Sequence, residues 1–440
     1  MAGLLAARVV ADRYERVTLI ERDLLPAGGG SRRGVPQGRH AHAVLGSGRQ
    51  VLEELFPGLT DQLVALGAQT GDVGEDGRWI LHGKPACKIH TGLVGLGLSR
   101  PLLEGQVRAR LLAYPHVRIL KGCEVHGLTA GDGARHVSGV RLQRREEGAP
   151  EEVLAADLVI DATGRRSRSP VWLKELGYRP PPEERVVVDV TYTTRLYRRY
   201  SEDLHGDLAV LVGASPARRR AGVALAIEGE RWMVTLAGIL GEQAPADEQG
   251  FVHFAAGLLA SDVYELIRDR KPLSDAVFMR FPANERRRYE RLDRFPEGLL
   301  VFGDALCSFN PVYGQGMTVA ALQAVLLGEC LDLQGTDQLA RRFFRGASRL
   351  INAPWDIAAG SDLAFEEVEG RRGLKVRVLN RYIARLLAVA HQDATVAAAF
   401  HRVANLVAPP RSLLHPRVAL RVLLHSRGEG RTGTVAHLER

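Results

Sequence analysis

At 440 residues the chain is too long for one ordinary hydrophobic core, so two closely packed domains with an appendage are expected. Hydrophobic residues make up 45% and charged residues 25%, a globular balance that excludes a disordered or fibrous chain. The net charge of +8 suits an anionic cofactor or an acidic membrane surface, whereas aromatics at 6%, with no basic run interleaved among them, argue against a nucleic-acid partner.

Residues 3–11 combine small and branched side chains suited to a helix lying close on a sheet. They are not read as a secretion signal, because Arg8 interrupts the apolar run and no cleavage-type segment follows. Residues 16–20 read as a short β-branched strand ending at Glu21, before a glycine-rich loop over 27–38 and a helix over 44–56 that Pro57-Gly58 stops. Ser99 is an N-cap, with Pro101 in the first turn of a helix reaching about Leu112. Short strands fill 117–160 and end in Leu158-Val159-Ile160. Beyond the turn-rich Arg179-Pro180-Pro181-Pro182, longer alternating strands over 185–195, 207–213, 222–227 and 232–239 predict an antiparallel sheet. A strand over 299–302 then leads into Gly303-Asp304 and a small-residue helix over 317–331, and the chain after about 360 reads as helical and basic. No internal repeat is present, and no apolar run reaches the length that spans a bilayer. Cys87, Cys123, Cys307 and Cys330 form no CxxC pair, which suits a reducing cytoplasm and neither disulfides nor zinc. His40-Ala41-His42 is the one close histidine pair, and it lacks further ligands for a metal.

Three constellations carry chemistry. A dinucleotide fold needs a glycine turn, a helix whose N-terminus faces a pyrophosphate, and an acid that accepts ribose hydroxyls. Gly3 fits the last glycine of G-x-G-x-x-G, where a missing side chain lets helix and strand pack closely, and Glu21, with Arg22 beside it, ends the next strand at the usual spacing. An ordinary αβ unit with an exposed Glu accounts for that pair equally well. The second is the strand ending in Asp161-Ala162-Thr163-Gly164, a tight turn where backbone can approach a cofactor, or a plain β-turn. The third is the most specific: Gly303-Asp304-Ala305, then Pro311, then Gly314-Gln315-Gly316-Met317 at the start of a helix. A carboxylate at a strand end can accept from a polyol such as ribitol, while glycine amides and the helix dipole favour negative charge beside them.

The third constellation resembles the second FAD fingerprint of single-component flavin hydroxylases, and Gly316-Met317-Thr318-Val319-Ala320 is similar to squalene epoxidases and the bacterial polyene epoxidases of polyether pathways. With Gly3, Glu21 and Asp161–Gly164 the motifs fall in family order over residues 3–330. The resemblance implies an α/β chain: a Rossmann-type FAD-binding domain lacking its first strand at the N-terminus (1–180 and 291–360), an antiparallel substrate domain (181–290) and a helical C-terminal region (361–440). It further implies FAD, molecular oxygen, and a flavin C4a-hydroperoxide that passes one oxygen atom to an electron-rich ring or alkene. The protein's part is to position substrate and exclude water. Arg39 and His40 would lie in the loop near the flavin edge, or be solvent-exposed loop polarity. Arg100, Glu104 and Arg108 share a helix face; by resemblance an arginine here contacts FAD, Arg108 first and Arg100 second, and a surface ion-pair ladder is the alternative.

Two departures qualify this. Ala162-Thr163-Gly164 stands where direct NAD(P)H users carry Ala-Asp-Gly, so either NAD(P)H or a separate reductase is the electron source. The same version resembles flavin halogenases and prenyl reductases, so a halogenase, reductase or desaturase stays open, although no Trp-x-Trp-x-Ile-Pro signature is present. Met1 aligns inside the glycine motif, so the first strand and two glycines are expected in an upstream reading frame. If they are lost, an FAD-free scaffold homologue is the reading from another class. The expected substrate is a hydrophobic small molecule of secondary metabolism, the expected location cytoplasmic. The basic tail, with Leu386-Leu387, Leu413-Leu414 and Leu423-Leu424, either lies on an anionic membrane or packs its apolar face on the domain.

Overall fold

The computed structural model describes residues 1–25, 30–32, 34–146, 148–334, 336 and 338–426. Residues 27–29 and 33 of the expected glycine-rich loop, and 427–440 of the expected helical region, lie outside the described residues.

The architecture is the expected mixed α/β one, with a Rossmann-type portion. The helix Ala2–Ala11 buries Leu4, Leu5, Val9 and Val10, and the chain returns as the strand Val17–Glu21. That strand pairs in parallel with Val117–Lys121, Val17 opposite Val117. A second parallel ladder joins Val159–Asp161 to Leu299–Val301. These two ladders are not hydrogen-bonded to each other. The strand Leu299–Val301 is buried throughout and shares its core with Leu5, Val107, Leu327 and Phe343, as expected of a strand covered on both faces.

The helix Gly316–Gln334 corrects one expectation. Its window Gly316–Leu333 is long and apolar enough to cross a membrane by length and composition. It packs instead against Ala2–Ala11, Gly46–Leu55 and Leu339–Asp362, and 56% of that window is buried. An apolar helix in contact with three other helices is a core element.

The large sheet has eight strands, in the order Cys307–Ser308, Val277–Arg287, Glu183–Arg198, Arg231–Ile239, Arg220–Ile227, Ala209–Val212, Gly77–Leu81 and Lys84–Pro85. It is antiparallel except where Ala209–Val212 runs parallel to Gly77–Leu81. The last two strands come from the N-terminal half, so this sheet draws on chain outside the expected 181–290 span. The helices Glu248–Ala256 and Asp262–Ile267 cover one face, where Trp232, Val234 and Leu236 meet Phe251 and Phe254. Thr235, Ala237 and Ile239, one residue out of phase, line a cavity on the other face. The C-terminal helices Leu374–Val389, Ala394–Ala404 and Pro416–Ser426 build a separate small core around Leu386, Val396 and Val422.

Candidate functional site

Between the parallel ladders, the eight-stranded sheet and the C-terminal helices lies one cavity of about 2620 Å³. That is more than twice the usual upper size, roughly 1,000 Å³, of a pocket for one small ligand. All the expected cofactor-site residues line it except Arg39 and Gly303.

One end of the cavity is built by charge. The Ser99 side chain accepts from the Leu102 amide at 3.3 Å and starts the helix Arg100–Leu111. This places Arg100, Glu104 and Arg108 on the cavity wall. The exposed ion-pair ladder is thereby ruled out for Arg100 and Glu104, which are both buried. Arg32 reaches in from the loop and pairs with Glu21 and, at 2.7 Å, with Glu104. Burial opposes ionisation of Glu104, but the Met1 ammonium, Arg32 and Arg100 outweigh it and hold its carboxyl at about 2. Arg100 touches Glu104 only at 3.5 Å and lies within the field of Asp304. Glu21 also accepts from the Asp23 amide at 2.9 Å, so its carboxylate is already engaged by Arg32 and backbone. Arg22 is exposed at the rim.

The middle of the cavity is built by turns. Asp161 accepts from the Thr163 amide (2.9 Å) and from the hydroxyls of Thr163, Ser167 and Ser169. Its carboxylate therefore shapes the turn through Gly164, and no acceptor capacity is left over for a ligand. Asp304 stands differently: among the described residues no donor sits on its carboxylate, burial raises its pKa, and Arg100 and Arg165 pull it back down. Gly303 sits beside the cavity with φ +67°, and a side chain there would approach the Ala2 Cβ to 2.6 Å. The close packing expected of Gly3 thus belongs to Gly303. A Cβ at Gly3 would meet Ala162 at 3.5 Å, an ordinary contact. Pro311 opens a short 3-10 turn that Gly314 closes at φ +65°, and the long helix starts at Gly316 with Met317 behind it. The Gln315 Oε1 is buried in the wall without a partner. Arg39 is exposed and off the cavity; its neighbour His40 is buried in the wall instead.

The far side holds residues that no motif announces. Asp362, buried at the end of the helix Leu339–Asp362, accepts from Asn284 (2.7 Å), Asn310 (3.1 Å) and Tyr313 (2.8 Å). Tyr192 donates to the Asn310 Oδ1 at 2.7 Å, which ties the eight-stranded sheet to the Pro311 turn. Burial raises the Asp362 carboxyl to about 6, against the three donors. Asn284, Asn310 and Asp362 are far apart in sequence, so only their buried polarity, once the fold is known, identifies them.

The protein's own leftovers decide which group fits. An acceptor at Asp304, an acceptor at Gln315, a weakly paired cation at Arg100 and a helix N-terminus at Ala2 line one cavity. That combination of groups suits a molecule with a hydroxylated chain and a diphosphate, as in FAD. Among the described residues no group of three or more metal-ligating side chains is present.

No family model matches the chain. Protein Rv3254 of Mycobacterium tuberculosis is 35% identical over 386 residues, covering 83% of this chain and 79% of that protein. Pseudomonas aeruginosa PqsL, solved in complex with 2-aminobenzoylacetate, superposes with a TM-score of 0.62 at 17% identity, over 83% of this chain and 94% of PqsL. The flavin-dependent brominase Bmp2 superposes with a TM-score of 0.65 at 13% identity, over 98% and 96%. At these identities the two structures establish a shared fold.

Proposed function

Because the chain belongs to the family of Protein Rv3254 and has the fold of FAD-dependent monooxygenases, we propose that it is an FAD-dependent oxidoreductase that inserts one oxygen atom into a hydrophobic small molecule of secondary metabolism, by hydroxylation or epoxidation. The observation that carries this is that Arg100, paired with Glu104 only at 3.5 Å, Asp304, with no donor on its carboxylate among the described residues, and the partnerless Gln315 Oε1 line one cavity with room for a cofactor and a second molecule. FAD would supply oxygen activation, with electrons from NAD(P)H or a separate reductase.

The chain's own residues have definable tasks in this reading. Arg32 and Arg100 would neutralise a diphosphate beside the N-terminus of Ala2–Ala11. Asp304 would accept a hydroxyl of the polyol chain. The cavity wall at Ala221, Val223, Ala237 and Ile239 offers a hydrophobic body an apolar surface and excludes water. The Asp362–Asn310–Tyr192 network would hold the Pro311–Tyr313 turn rigid against that surface.

The basic C-terminal layer supports peripheral contact with an anionic membrane as a further part of this reading. Residues 370–426 hold ten Lys and Arg against one acidic residue, Asp393. Leu374, Val378 and Leu414 are exposed there while also lining the cavity. The first test is the visible spectrum of the purified full chain after FAD is added and free flavin removed. Retained flavin absorbance supports the proposal, and a colourless protein refutes it. Product mass then separates oxygen insertion from halogenation and from loss or gain of two hydrogens.

A further inference from the structure

His40 is buried, with 3% exposure, where the loop following the 3-10 turn Pro36–Arg39 meets the eight-stranded sheet. Its Nδ1 lies 2.7 Å from the Thr194 Oγ1, and Thr194 lies 2.6 Å from the Thr235 Oγ1, its direct cross-strand partner. The Thr235 hydroxyl also accepts from the Ala41 amide at 3.0 Å. The Nε2 of His40 is buried without a partner, in a residue that lines the cavity.

The direction of this relay follows from counting protons. If Nδ1 carried the hydrogen, it would donate to Thr194 and Thr194 to Thr235. The Thr235 hydroxyl proton would then find no acceptor among the described residues, and Nε2 would be a second orphan. If instead Thr235 donates to Thr194, and Thr194 to Nδ1, a single group is unsatisfied, the Nε2–H. Buried unmade hydrogen bonds each cost about 1–3 kcal/mol, so the second arrangement wins. Burial, helped by the charge of Arg39, lowers the imidazole to about 4 and keeps it neutral. The two ring nitrogens point apart, so with Nδ1 held to the sheet the Nε2–H is directed away from it. The Tyr192 ring lies beside it, centroids 5.9 Å apart.

We propose that His40, set as its Nε2–H tautomer by Thr194 and Thr235, is a substrate-specificity residue that donates to a carbonyl-class oxygen on an otherwise hydrophobic substrate. The inference rests on the reading that this side of the cavity receives substrate. A neutral donor in an apolar wall accepts an oxygen without demanding charge, and it penalises a pure hydrocarbon by leaving the N–H unpaired.

The test uses two probes of similar shape, 1-acetonaphthone and 1-ethylnaphthalene, titrated calorimetrically into the full chain with and without added FAD. Wild type should bind the ketone about fivefold to tenfold more tightly. His40→Phe should abolish that preference, His40→Gln, which keeps a donor, should retain it, and Thr194→Val should weaken it. The nitrogen chemical shifts of His40 should report a protonated Nε2 and a bare Nδ1, and Thr194→Val should disturb that pattern. Equal affinity in wild type, binding of neither probe, or a preference that survives His40→Phe overturns the assignment. So does a His40→Phe variant that alters the flavin spectrum while leaving probe preference intact, since the Nε2–H then belongs to the cofactor. Failure to retain FAD sinks the oxidoreductase reading alone, because the probe preference is also read in the titrations without added FAD.

Discussion

Gly303→Ala and Gly3→Ala should have opposite effects, although both glycines belong to FAD-type motifs. Gly303 combines a left-handed backbone, φ +67°, with a Cβ position 2.6 Å from the Ala2 Cβ. The backbone strain alone is about 1–2 kcal/mol. Forcing a methyl group into the junction of the strand Leu299–Val301 with the helix Ala2–Ala11 adds about 1–3 kcal/mol. Gly303→Ala should therefore destabilise the protein by about 2–5 kcal/mol. At Gly3 the new Cβ makes an ordinary 3.5 Å contact with Ala162, and a helical Gly→Ala exchange favours the fold by up to about 1 kcal/mol. Gly3 lines the cavity, however, so its alanine variant should lose FAD affinity while keeping or gaining thermal stability. Thermal unfolding by circular dichroism, paired with flavin retention on dilution, separates the two. If Gly3→Ala unfolds as early as Gly303→Ala, or if Gly303→Ala leaves the midpoint unchanged, the assignment of the close contact is wrong.

Other perturbations follow from the same geometry. The Asp362 carboxyl is raised by burial to about 6, above its unfolded value near 3.8, so its contribution is fully present below the unfolded value and lost as pH rises through about 6. The two-unit difference corresponds to about 3 kcal/mol. Denaturant titrations of wild type should thus show this component declining across that window, and Asp362→Asn should remove it; an unchanged pH slope in the variant would contradict the assignment. Arg32→Ala should lose FAD retention at least about tenfold and become less salt-sensitive, as judged by flavin fluorescence, because one of the two cations near the helix N-terminus is gone. Unchanged retention would leave Arg32 with only its carboxylate partners Glu21, Asp23 and Glu104. Arg377→Gln with Arg381→Gln should reduce co-sedimentation with phosphatidylglycerol vesicles, each charge being worth about 1 kcal/mol near such a surface. Equal pelleting of wild type with neutral and anionic vesicles would discard the membrane contact.

The local signals were legible because they depend on neighbours in the chain. Ser99 and Pro101 start a helix wherever it lies, and Gly314 closes its turn through its own backbone freedom. The order of Gly3, Glu21, Asp161 and Asp304 predicted which segments converge, and they line one cavity. The roles within that convergence were less legible. Asp161 is consumed by its own turn, and Glu21 by Arg32, an arginine that belongs to none of the motifs. The strand Val277–Arg287 carries Pro282 and three arginines, so its composition concealed a long member of the sheet that pairs along Glu183–Arg198.

The amino-acid sequence by itself determined the α/β class, the strand–turn–helix units and the acidic and glycine positions around a cofactor, since each rests on periodicity or a short-range turn. Only the tertiary structure decided which face of the strand Arg231–Ile239 meets the cavity. That strand is apolar on both sides, and it is the packing of Phe251 and Phe254 on Trp232, Val234 and Leu236 that leaves Thr235 and Ala237 for the cavity. The same holds for the Asp362 network and for the His40 tautomer: hydrogen bonds between residues about 40 to 150 positions apart exist only once the chain has folded them together.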